Sequence, residues 1–187
     1  MNNITPTIII ISTGSELTTG KSVDTNSSWI ANELFELGFE TESFLVLPDS
    51  FEILKNNISE IFKKRNNCLV LLTGGLGPTE DDYTLEVICS ILNINSVRFE
   101  KSFARLENVY KNRGPEYLKL IPSVERQTRI PIGATPLENS VGIAAGFIIE
   151  FKNESHLVAM PGVPSEMKSM FKNEFVPVLH KLYAGKY

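Results

Sequence analysis

Short apolar runs and longer amphipathic stretches alternate along the first half of the chain. Residues 7–12, 44–47 and 68–72 are apolar runs with the length of buried strands. The stretches after these runs carry apolar residues at helical spacing, such as Leu54 and Ile58, or Leu85 and Ile88. Because strands of about five residues that alternate with helices are typical of βαβ units, the pattern predicts parallel strands with right-handed crossovers.

The second half of the chain has a less regular pattern. Apolar residues between positions 103 and 110 predict one more helix, and residues 115–133 predict a lid or connecting segment. Residues 146–151 and 156–160 predict two strands joined by a tight turn, and a final helix follows Pro164. A hairpin pairs its strands antiparallel, so we expect an α/β fold whose sheet is mixed but mostly parallel.

Length, composition and charge are those of one ordinary globular domain. The 187 residues are 42% hydrophobic and 21% charged, enough to bury a core, so we expect a single domain over residues 1–187. The formal net charge of −4 gives no reason to expect a nucleic acid or an anionic membrane as partner. The apolar run from Ile8 to Ile11 is far shorter than the roughly 20 residues of a membrane span. Without a recognisable signal peptide, the expected compartment is the cytoplasm.

Four loops are candidates for a common site. In a wound α/β sheet, ligands bind beyond the carboxyl ends of the strands. Loops 13–16, 48–50 and 73–82 follow the three predicted strands of the first half, and loop 160–166 follows the hairpin. We therefore expect these loops to meet.

The loop of residues 73–82 has the composition of a phosphate-binding turn. Its glycines let the backbone N–H groups of residues 74–77 point at phosphate oxygens. Pro78 and Thr79 then predict a helix start, whose free N–H groups also favour an anion. The loop has neither the lysine of a Walker loop nor the G-x-G-x-x-G spacing of a dinucleotide fold.

Three acidic residues, Glu80, Asp81 and Asp82, follow the glycines and Pro78-Thr79. One interpretation is that they complement a helix dipole. Beside a phosphate they would repel the ligand, and a divalent cation resolves the conflict because it binds carboxylate and phosphate oxygens together. Asp49, at the end of the neighbouring strand, is either a turn residue or the other half of such a metal site.

The remaining polar candidates are more isolated. Glu16, flanked by Thr13 and Ser15, is a candidate for contact with a ribose or a water molecule. Lys21 and Arg126 are either phosphate clamps or ordinary surface residues. We expect the two histidines and the two cysteines to have structural roles.

Several ordered segments resemble the amino-terminal domain of the CinA competence/damage-inducible proteins, which belongs to the molybdopterin-binding superfamily. The resemblance runs from about residue 7 to residue 180. The segments that carry it are 14–20 (Gly-Ser-Glu-Leu-Thr-Thr-Gly), 24–26 (Asp-Thr-Asn), 73–82 (Thr-Gly-Gly-Leu-Gly-Pro-Thr-Glu-Asp-Asp), Asn139, Gly142, Gly146, and 161–167 (Pro-Gly-Val-Pro-Ser-Glu-Met).

The resemblance implies a three-layer α/β/α sandwich and, for CinA-type domains, metal-dependent hydrolysis of ADP-ribose to AMP and ribose 5-phosphate. Asp82 falls on the superfamily's acidic position after the glycine loop, and Asp49 on the acid after the second strand. The expected cofactor is Mg²⁺, Co²⁺ or Mn²⁺, with K⁺ as an optional additional ion. By analogy with relatives we expect a homodimer or another homo-oligomer. The resemblance does not extend to the carboxy-terminal nicotinamide mononucleotide deamidase domain of many CinA proteins, so no amidase activity is expected.

Together these observations predict a nucleotide diphosphate hydrolase with Asp82, Asp49 and Glu16 as catalytic residues and with Asp49, Asp81 and Asp82 as metal ligands. ADP-ribose, FAD and NAD remain open as substrates. The alternatives are adenylyl transfer to molybdopterin and a non-catalytic module that binds a pterin or a nucleotide. Predicted contacts to substrate or phosphate are Thr13, Gly14, Ser15, Thr73, Gly74, Gly75, Leu76, Gly77, Asn139, Arg126, Gln127 and Glu166.

The sequence also departs from the pattern usual in CinA proteins. Ser15 stands where threonine is usual, and Pro48 stands where glycine is common. In residues 124–128 only Gln127 and the basic character of Arg126 are retained, which makes this segment a candidate determinant of specificity.

Overall fold

The computed structural model of the protein describes residues 5–183. The strands are β1 (Thr7–Thr13), β2 (Thr41–Leu47), β3 (Cys68–Thr73), β4 (Ser96–Arg98), β5 (Arg129–Pro131), β6 (Thr135–Leu137), β7 (Gly146–Phe151) and β8 (Ser155–Met160). The helices are α1 (Ser15–Thr18), α2 (Thr25–Glu36), α3 (Phe51–Lys64), α4 (Thr84–Leu92), α5 (Glu100–Arg113), α6 (Ile121–Val124), α7 (Pro164–Met170) and α8 (Val176–Leu182). The predicted domain 1–187 thus includes four residues at each end that lie outside the described range.

Six strands form one sheet in the order β2-β1-β3-β8-β7-β6. Strands β2, β1, β3 and β8 are parallel neighbours, whereas β7 pairs antiparallel with β8 and β6 antiparallel with β7. The predicted mixed, mostly parallel sheet is therefore confirmed. Thr13 pairs with Leu47, Ser12 with Thr73, and Thr73 with Met160, so the four parallel strands end at one level.

Apolar side chains pack on both faces of this sheet. Successive side chains of a strand point to opposite faces, so β1 contributes to two cores. Ile9 and Ile11 pack with α3 and α4, and Ile8 and Ile10 pack with α2, α7 and α8. The sheet is therefore the middle layer of three, which confirms the expected α/β/α sandwich.

The second half contains more regular structure than its pattern predicts. The segment 115–133 includes α6 between two 3₁₀ turns, Tyr117–Leu120 and Glu125–Thr128, and continues into β5. Strand β5 pairs antiparallel with β4 in a separate two-stranded sheet. Strands β4, β5 and β6 have three residues each, too few for an alternating pattern to be recognised. The final helix forms as predicted, with a π turn at Phe171–Phe175 between α7 and α8.

The helix predicted from Leu85 and Ile88 forms as α4, but its predicted start at Pro78 and Thr79 is wrong, because α4 begins at Thr84. The residues in between form a turn that is closed by local hydrogen bonds. The Thr79 backbone N–H and its hydroxyl both bond to the Asp82 carboxylate. Such short side-chain bonds to a nearby backbone group compete with helix formation.

Both cysteines are free thiols. Cys68 lies in the buried strand β3, and burial raises the pKa of its thiol to about 11. Among residues 5–183, no helix combines the length and the apolar character needed to cross a bilayer.

The cap of helix α2 provides a test of local stability. The Asp24 side chain accepts a hydrogen bond from the Ser27 backbone N–H at 3.0 Å. We expect Asp24→Ala to lower the free energy of unfolding by about 1 kcal/mol, because an unpaired N–H group remains at the helix start. Urea denaturation measures this change.

Ser50→Ala is the matched control. Ser50 occupies the same position at the start of α3, but its side chain makes no capping hydrogen bond. Its substitution should change the free energy of unfolding by less than about 0.5 kcal/mol. Equal losses in the two variants would show that the Asp24 cap does not stabilise the fold.

Candidate functional site

A cleft of about 520 Å³ opens at the carboxyl ends of the parallel strands. The loops that follow β1, β2, β3 and β8 all contribute to it, as the sequence predicts. Two further wall residues that sequence reasoning missed, Ile143 and Ala144, precede β7. The predicted site residues that line the cleft are Thr13, Gly14, Glu16, Asp49, Gly74, Gly75, Leu76, Gly77, Asp81, Asp82, Gln127 and Glu166.

Four predicted contact residues, Ser15, Thr73, Asn139 and Arg126, do not line this cleft. Thr73 is 1% exposed, and its hydroxyl lies 3.1 Å from that of Ser12. Burial in the sheet therefore prevents Thr73 from contacting a ligand in the cleft. The other three support residues that do line it.

Asp49 ties the first two strand ends together. Its Oδ1 accepts a hydrogen bond from the Thr13 hydroxyl at 2.9 Å, and its Oδ2 accepts one from the Ser15 backbone N–H at 2.7 Å. The Asp49 backbone N–H in turn donates to the Ser15 hydroxyl at 3.3 Å. Ser15 is thus a positioning residue for Asp49, which corrects its predicted contact with the ligand.

Gly74 and Gly75 allow the end of β3 to approach its neighbours closely. Their φ angles are +101° and +64°, a region that side chains disfavour. A Cβ atom on Gly74 would lie 2.4 Å from the Thr13 carbonyl oxygen, and one on Gly75 would lie 2.5 Å from the Thr84 hydroxyl oxygen. The turn therefore has room for backbone only.

The backbone N–H group of Gly74 is already used within the fold. It donates to the Met160 carbonyl at 3.1 Å, and the Gly74 carbonyl accepts from the Thr84 hydroxyl at 2.9 Å. This corrects the prediction that all amides of residues 74–77 face a phosphate. For the N–H groups of Gly75, Leu76 and Gly77, contact with a phosphate stays a prediction.

Thr79 forms hydrogen bonds with both Asp81 and Asp82 at the opposite end of the turn. Its hydroxyl oxygen lies 2.5 Å from Asp81 Oδ1 and 2.6 Å from Asp82 Oδ2, and its backbone N–H donates to Asp82 Oδ2 at 2.8 Å. The hydrogen bond from Thr79 lowers the pKa of the Asp81 carboxyl. A Cβ atom on Gly77 would lie 2.6 Å from Asp82 Oδ2, so this carboxylate lies against the glycine turn.

Arg126 supports this turn from outside the cleft. Its guanidinium donates to the Thr79 carbonyl, to the Asp82 carbonyl at 2.7 Å and to Glu86 Oε1 at 2.7 Å. Because its donors are engaged by the loop and by Glu86, the predicted phosphate clamp is corrected to a positioning residue. Lys21, the other predicted clamp, is exposed and does not line the cleft.

Asn139 fixes Glu166 on the other wall. The Asn139 Nδ2 donates to Glu166 Oε2 at 2.6 Å and to the Ala144 carbonyl at 3.1 Å, while its Oδ1 accepts from the Gly142 N–H at 2.7 Å. Asn139 is 2% exposed, so burial replaces its predicted ligand contact with support of Glu166. A Cβ atom on Gly142 would lie 2.3 Å from the Glu166 carboxylate. The glycine is needed for this packing.

The carboxylates of the cleft could bind a hard cation together with a phosphate, although they do not form a complete metal site by themselves. Among residues 5–183, no group of three or more His, Cys, Asp or Glu side chains is arranged to hold a metal ion. Asp49, Asp81 and Asp82 nevertheless bring carboxylate oxygens to one cleft. Mg²⁺ is commonly bound by one or two carboxylates together with substrate phosphates. The donor set therefore fits an ion that a diphosphate ligand helps to hold.

Comparisons with known proteins agree with this architecture. The sequence model of the family described as "probable molybdopterin binding domain" matches residues 9–181. A CinA-like protein from Leptospira biflexa is 50% identical over 182 residues, which are 96% of this chain and 44% of that protein. The chain thus spans less than half the length of this relative.

Two solved structures share the fold. CinA from Thermoplasma acidophilum, described as a protein with unknown function, has a TM-score of 0.76 and 27% identity over 93% of this chain and 98% of its own. The tungsten cofactor synthesizing protein MoaB from Pyrococcus furiosus has a TM-score of 0.60 and 19% identity over 98% of both chains. The second comparison concerns the fold alone.

The glycine turn can be tested with two alanine substitutions. Gly74 and Gly133 both have positive φ angles, but a Cβ atom on Gly133 would meet nothing within 4 Å. Each substitution should cost about 1 kcal/mol of stability through backbone strain. Gly74→Ala should cost a further ~1–3 kcal/mol, because its methyl group collides with the backbone of β1. Urea denaturation that gives equal losses would contradict the close packing of the turn.

The role of Arg126 can be tested by amide hydrogen exchange. We expect Arg126→Ala to accelerate exchange at the Thr79 N–H by roughly tenfold, because the turn loses its external hydrogen bonds. Arg105→Ala is the control, since Arg105 has a similar exposure (31% against 27%) and also pairs with a glutamate. Exchange at Thr79 that is unchanged by Arg126→Ala would contradict the positioning role.

Proposed function

Because the chain belongs to the family of molybdopterin-binding domains and is a CinA-like member of it, we propose that its cleft binds a nucleotide diphosphate and hydrolyses it with the help of a divalent cation. The leading substrate is ADP-ribose, with AMP and ribose 5-phosphate as the products. Family membership supports the broader part of this proposal, a ligand site at the carboxyl ends of the strands. The specific reaction rests on the side chains of the cleft.

The charge of the cleft carries the proposal. Its walls combine the glycine turn with the carboxylates of Glu16, Asp49, Asp81, Asp82 and Glu166, and no lysine or arginine among residues 5–183 lines them. A diphosphate that enters such a cleft without a cation meets like charges at close range. A divalent cation removes the repulsion, because carboxylate and phosphate oxygens then share it. This requirement favours a metal-dependent reaction at a phosphate.

Different residues of the cleft have different roles in the proposed hydrolysis. The N–H groups of Gly75, Leu76 and Gly77 are the candidates to hold the non-bridging phosphate oxygens. Asp49, Asp81 and Asp82 would hold the cation, with K⁺ as an optional further ion. When bound, the cation withdraws charge from the phosphate and lowers the pKa of a coordinated water.

Two further carboxylates are candidates for proton transfer. Glu166 is held in place by Asn139, and Glu16 lies in the wall beside the end of β1. In the proposed step a water oxygen forms a bond to one phosphorus while the bridging P–O bond breaks. The proton of the water passes to one of these carboxylates, and the departing phosphate oxygen retains the electron pair.

Adenylyl transfer to molybdopterin is the second candidate function. The match to the family of probable molybdopterin binding domains favours it, since the same phosphate turn can present an adenylate to an acceptor other than water. A module that binds a pterin or a nucleotide without turnover is the third. The fate of the AMP group separates them: it is released into water, transferred to a pterin, or not formed.

The hydrolase proposal predicts a large effect of Asp82→Asn. Asparagine can still accept the hydrogen bond from the Thr79 N–H, so the turn should persist while the charge is lost. We expect AMP release from ADP-ribose in the presence of Mg²⁺ to slow at least ~100-fold, because charge stabilisation at the phosphate weakens. Chromatographic measurement of AMP gives the rate.

Glu80→Gln is the control for this experiment. This substitution removes one negative charge from the same turn, as Asp82→Asn does. Glu80 is exposed and does not line the cleft. The rate of AMP release by this variant should stay within about twofold of the rate of the unmodified protein, as for a surface substitution. Unchanged AMP release by Asp82→Asn would exclude the assigned role of Asp82. No AMP from the unmodified protein with any divalent ion would exclude the hydrolase.

A further inference from the structure

The two edges of the main sheet differ in how they are protected. Strand β6, at one edge, has three residues and contains Pro136. A short strand with a proline is a common means of preventing unwanted pairing at an edge. Strand β2, at the other edge, has seven residues without proline or lysine, and no strand of residues 5–183 pairs with its outer side. This open edge can therefore accept another strand.

The face of β2 on the side of α2 is exposed and apolar. Phe44 pairs with Ile10, which packs with α2, and Val46 pairs with Ser12, whose hydroxyl lies 3.0 Å from a hydroxyl of α2. Phe44 and Val46 therefore point to the same side, and they are 50% and 41% exposed. Because the exposed face of a strand is usually polar, two large apolar side chains here indicate a surface that a partner covers.

Phe35 of α2 extends this apolar surface. Glu33 pairs with Lys172, so that side of α2 faces the helices that follow β8, on the far side of the sheet from β2. Phe35 follows Glu33 by two residues, about 200° around the helix, and so lies on the opposite flank, on the side of β2. Phe35 is 66% exposed. We call Phe35, Phe44 and Val46 the apolar patch.

The regular part of β2 can pair with a copy of itself about a two-fold axis. A register shift at the start of the strand leaves residues 43–47 in regular pairing with β1. In an antiparallel copy with the axis at Leu45, Phe44 lies opposite the partner's Val46, and Val46 lies opposite the partner's Phe44. Aromatic and β-branched side chains are favourable cross-strand pairs. Every contact occurs twice in such an interface, because both copies use the same surface.

Exposed charges at the two ends of β2 are complementary to an antiparallel copy. On the α2 side, Lys21 lies at the carboxyl end of the strands, whereas Glu36 and Glu40 lie at the amino end of β2. On the α3 side, Glu52 lies in the first turn of α3 at the carboxyl end, and Lys63 lies in its last turn at the amino end. An antiparallel copy brings opposite ends together on each face. Each of the two lysines then approaches acidic residues of the partner, which favours this orientation over a parallel one.

We propose that a second copy of this chain pairs antiparallel with β2 and joins the two main sheets into one continuous sheet. The apolar patch exposes roughly 300 Å², since an aromatic side chain has an area of roughly 150–250 Å². One partner of a standard interface buries about 800 Å², so the strand edge and the charged ends supply the remainder. Main-chain hydrogen bonds between the two edges add affinity. The two clefts lie at opposite ends of the joined sheet, and the interface is independent of the reaction in them.

Sedimentation equilibrium tests the interface. The unmodified protein should form a dimer at about 10 µM. Val46→Lys should raise the dissociation constant of the dimer at least ~10-fold, because a lysine against the partner's Phe44 disrupts an apolar pair twice in each dimer. Val97→Lys is the matched control, since Val97 is 46% exposed and lies in β4, outside the main sheet. The dissociation constant of this variant should stay within about twofold of the unmodified value.

Intermolecular disulfide formation tests the register. Leu45→Cys places a thiol at the two-fold axis, where facing Cα atoms lie roughly 4.5–5.5 Å apart, a distance that a disulfide spans. Oxidation with diamide should give a covalent dimer on a non-reducing gel, beyond any formed by the unmodified protein. Ser43→Cys is the control, because its thiol faces the partner's Leu47. The two substituted residues are then four positions apart in register, roughly 13 Å, too far for a disulfide.

Three results would overturn the proposed dimer. An unmodified protein that stays monomeric at ~100 µM would leave the apolar patch to a different partner. Equal dissociation constants of the Val46→Lys and Val97→Lys variants would place the interface on another surface. Disulfide formation that is equally fast in the two cysteine variants would exclude the register. If Val46→Lys does not fold, the cysteine variants decide alone, because a covalent dimer specific to Leu45→Cys requires the two β2 edges to meet.

Discussion

The cleft depends on the parallel alignment of four strands that end at one level. Thr13 is paired with Leu47, and Thr73 with Met160, so the loops after β1, β2, β3 and β8 leave the sheet side by side. This register is fixed from both faces, because a shift of one residue would exchange the side chains that fill the two cores. The loops then approach within backbone contact: a Cβ atom on Gly162 would lie 3.3 Å from the Gly74 Cα.

The second constraint is electrostatic. Thr79, Asn139 and Ser15 hold acidic side chains at the cleft. The guanidinium of Arg126 is bound to loop carbonyls and to Glu86. The supporting residues thus fix carboxylates in place and bring no positive charge into the walls. Under the proposed function an anionic ligand needs a cation, and the glycine turn offers N–H groups to the phosphate oxygens. The proposed chemistry follows from this combination.

The sequence pattern predicted the parts of the molecule that depend on local periodicity. Five of the six strands of the main sheet, the long helices and the loops that meet at the cleft follow from apolar spacing, whereas β6 does not. The acids Asp49 and Asp82 follow from their place in the loops after β2 and β3. Partners distant in sequence could not be predicted this way. Arg126 contacts residues that lie 40 to 47 positions before it in the sequence. Without knowledge of these contacts, a basic residue is easily interpreted as a phosphate clamp. Asn26 likewise looks like a helix-cap neighbour, and its hydrogen bond to the Gly162 carbonyl, 136 positions away, is seen only in the structure.

The central claim is that the acidic cleft binds a diphosphate only together with a cation. The most direct measurement is calorimetric titration of metal-free protein with the α,β-methylene analogue of ADP-ribose, first in chelator and then with Mg²⁺, Mn²⁺ or Co²⁺. We expect no measurable binding in chelator and saturable binding once a divalent ion is present. Equally tight binding in chelator would contradict the claim, because the five carboxylates of the cleft would then not require a cation between themselves and the phosphates.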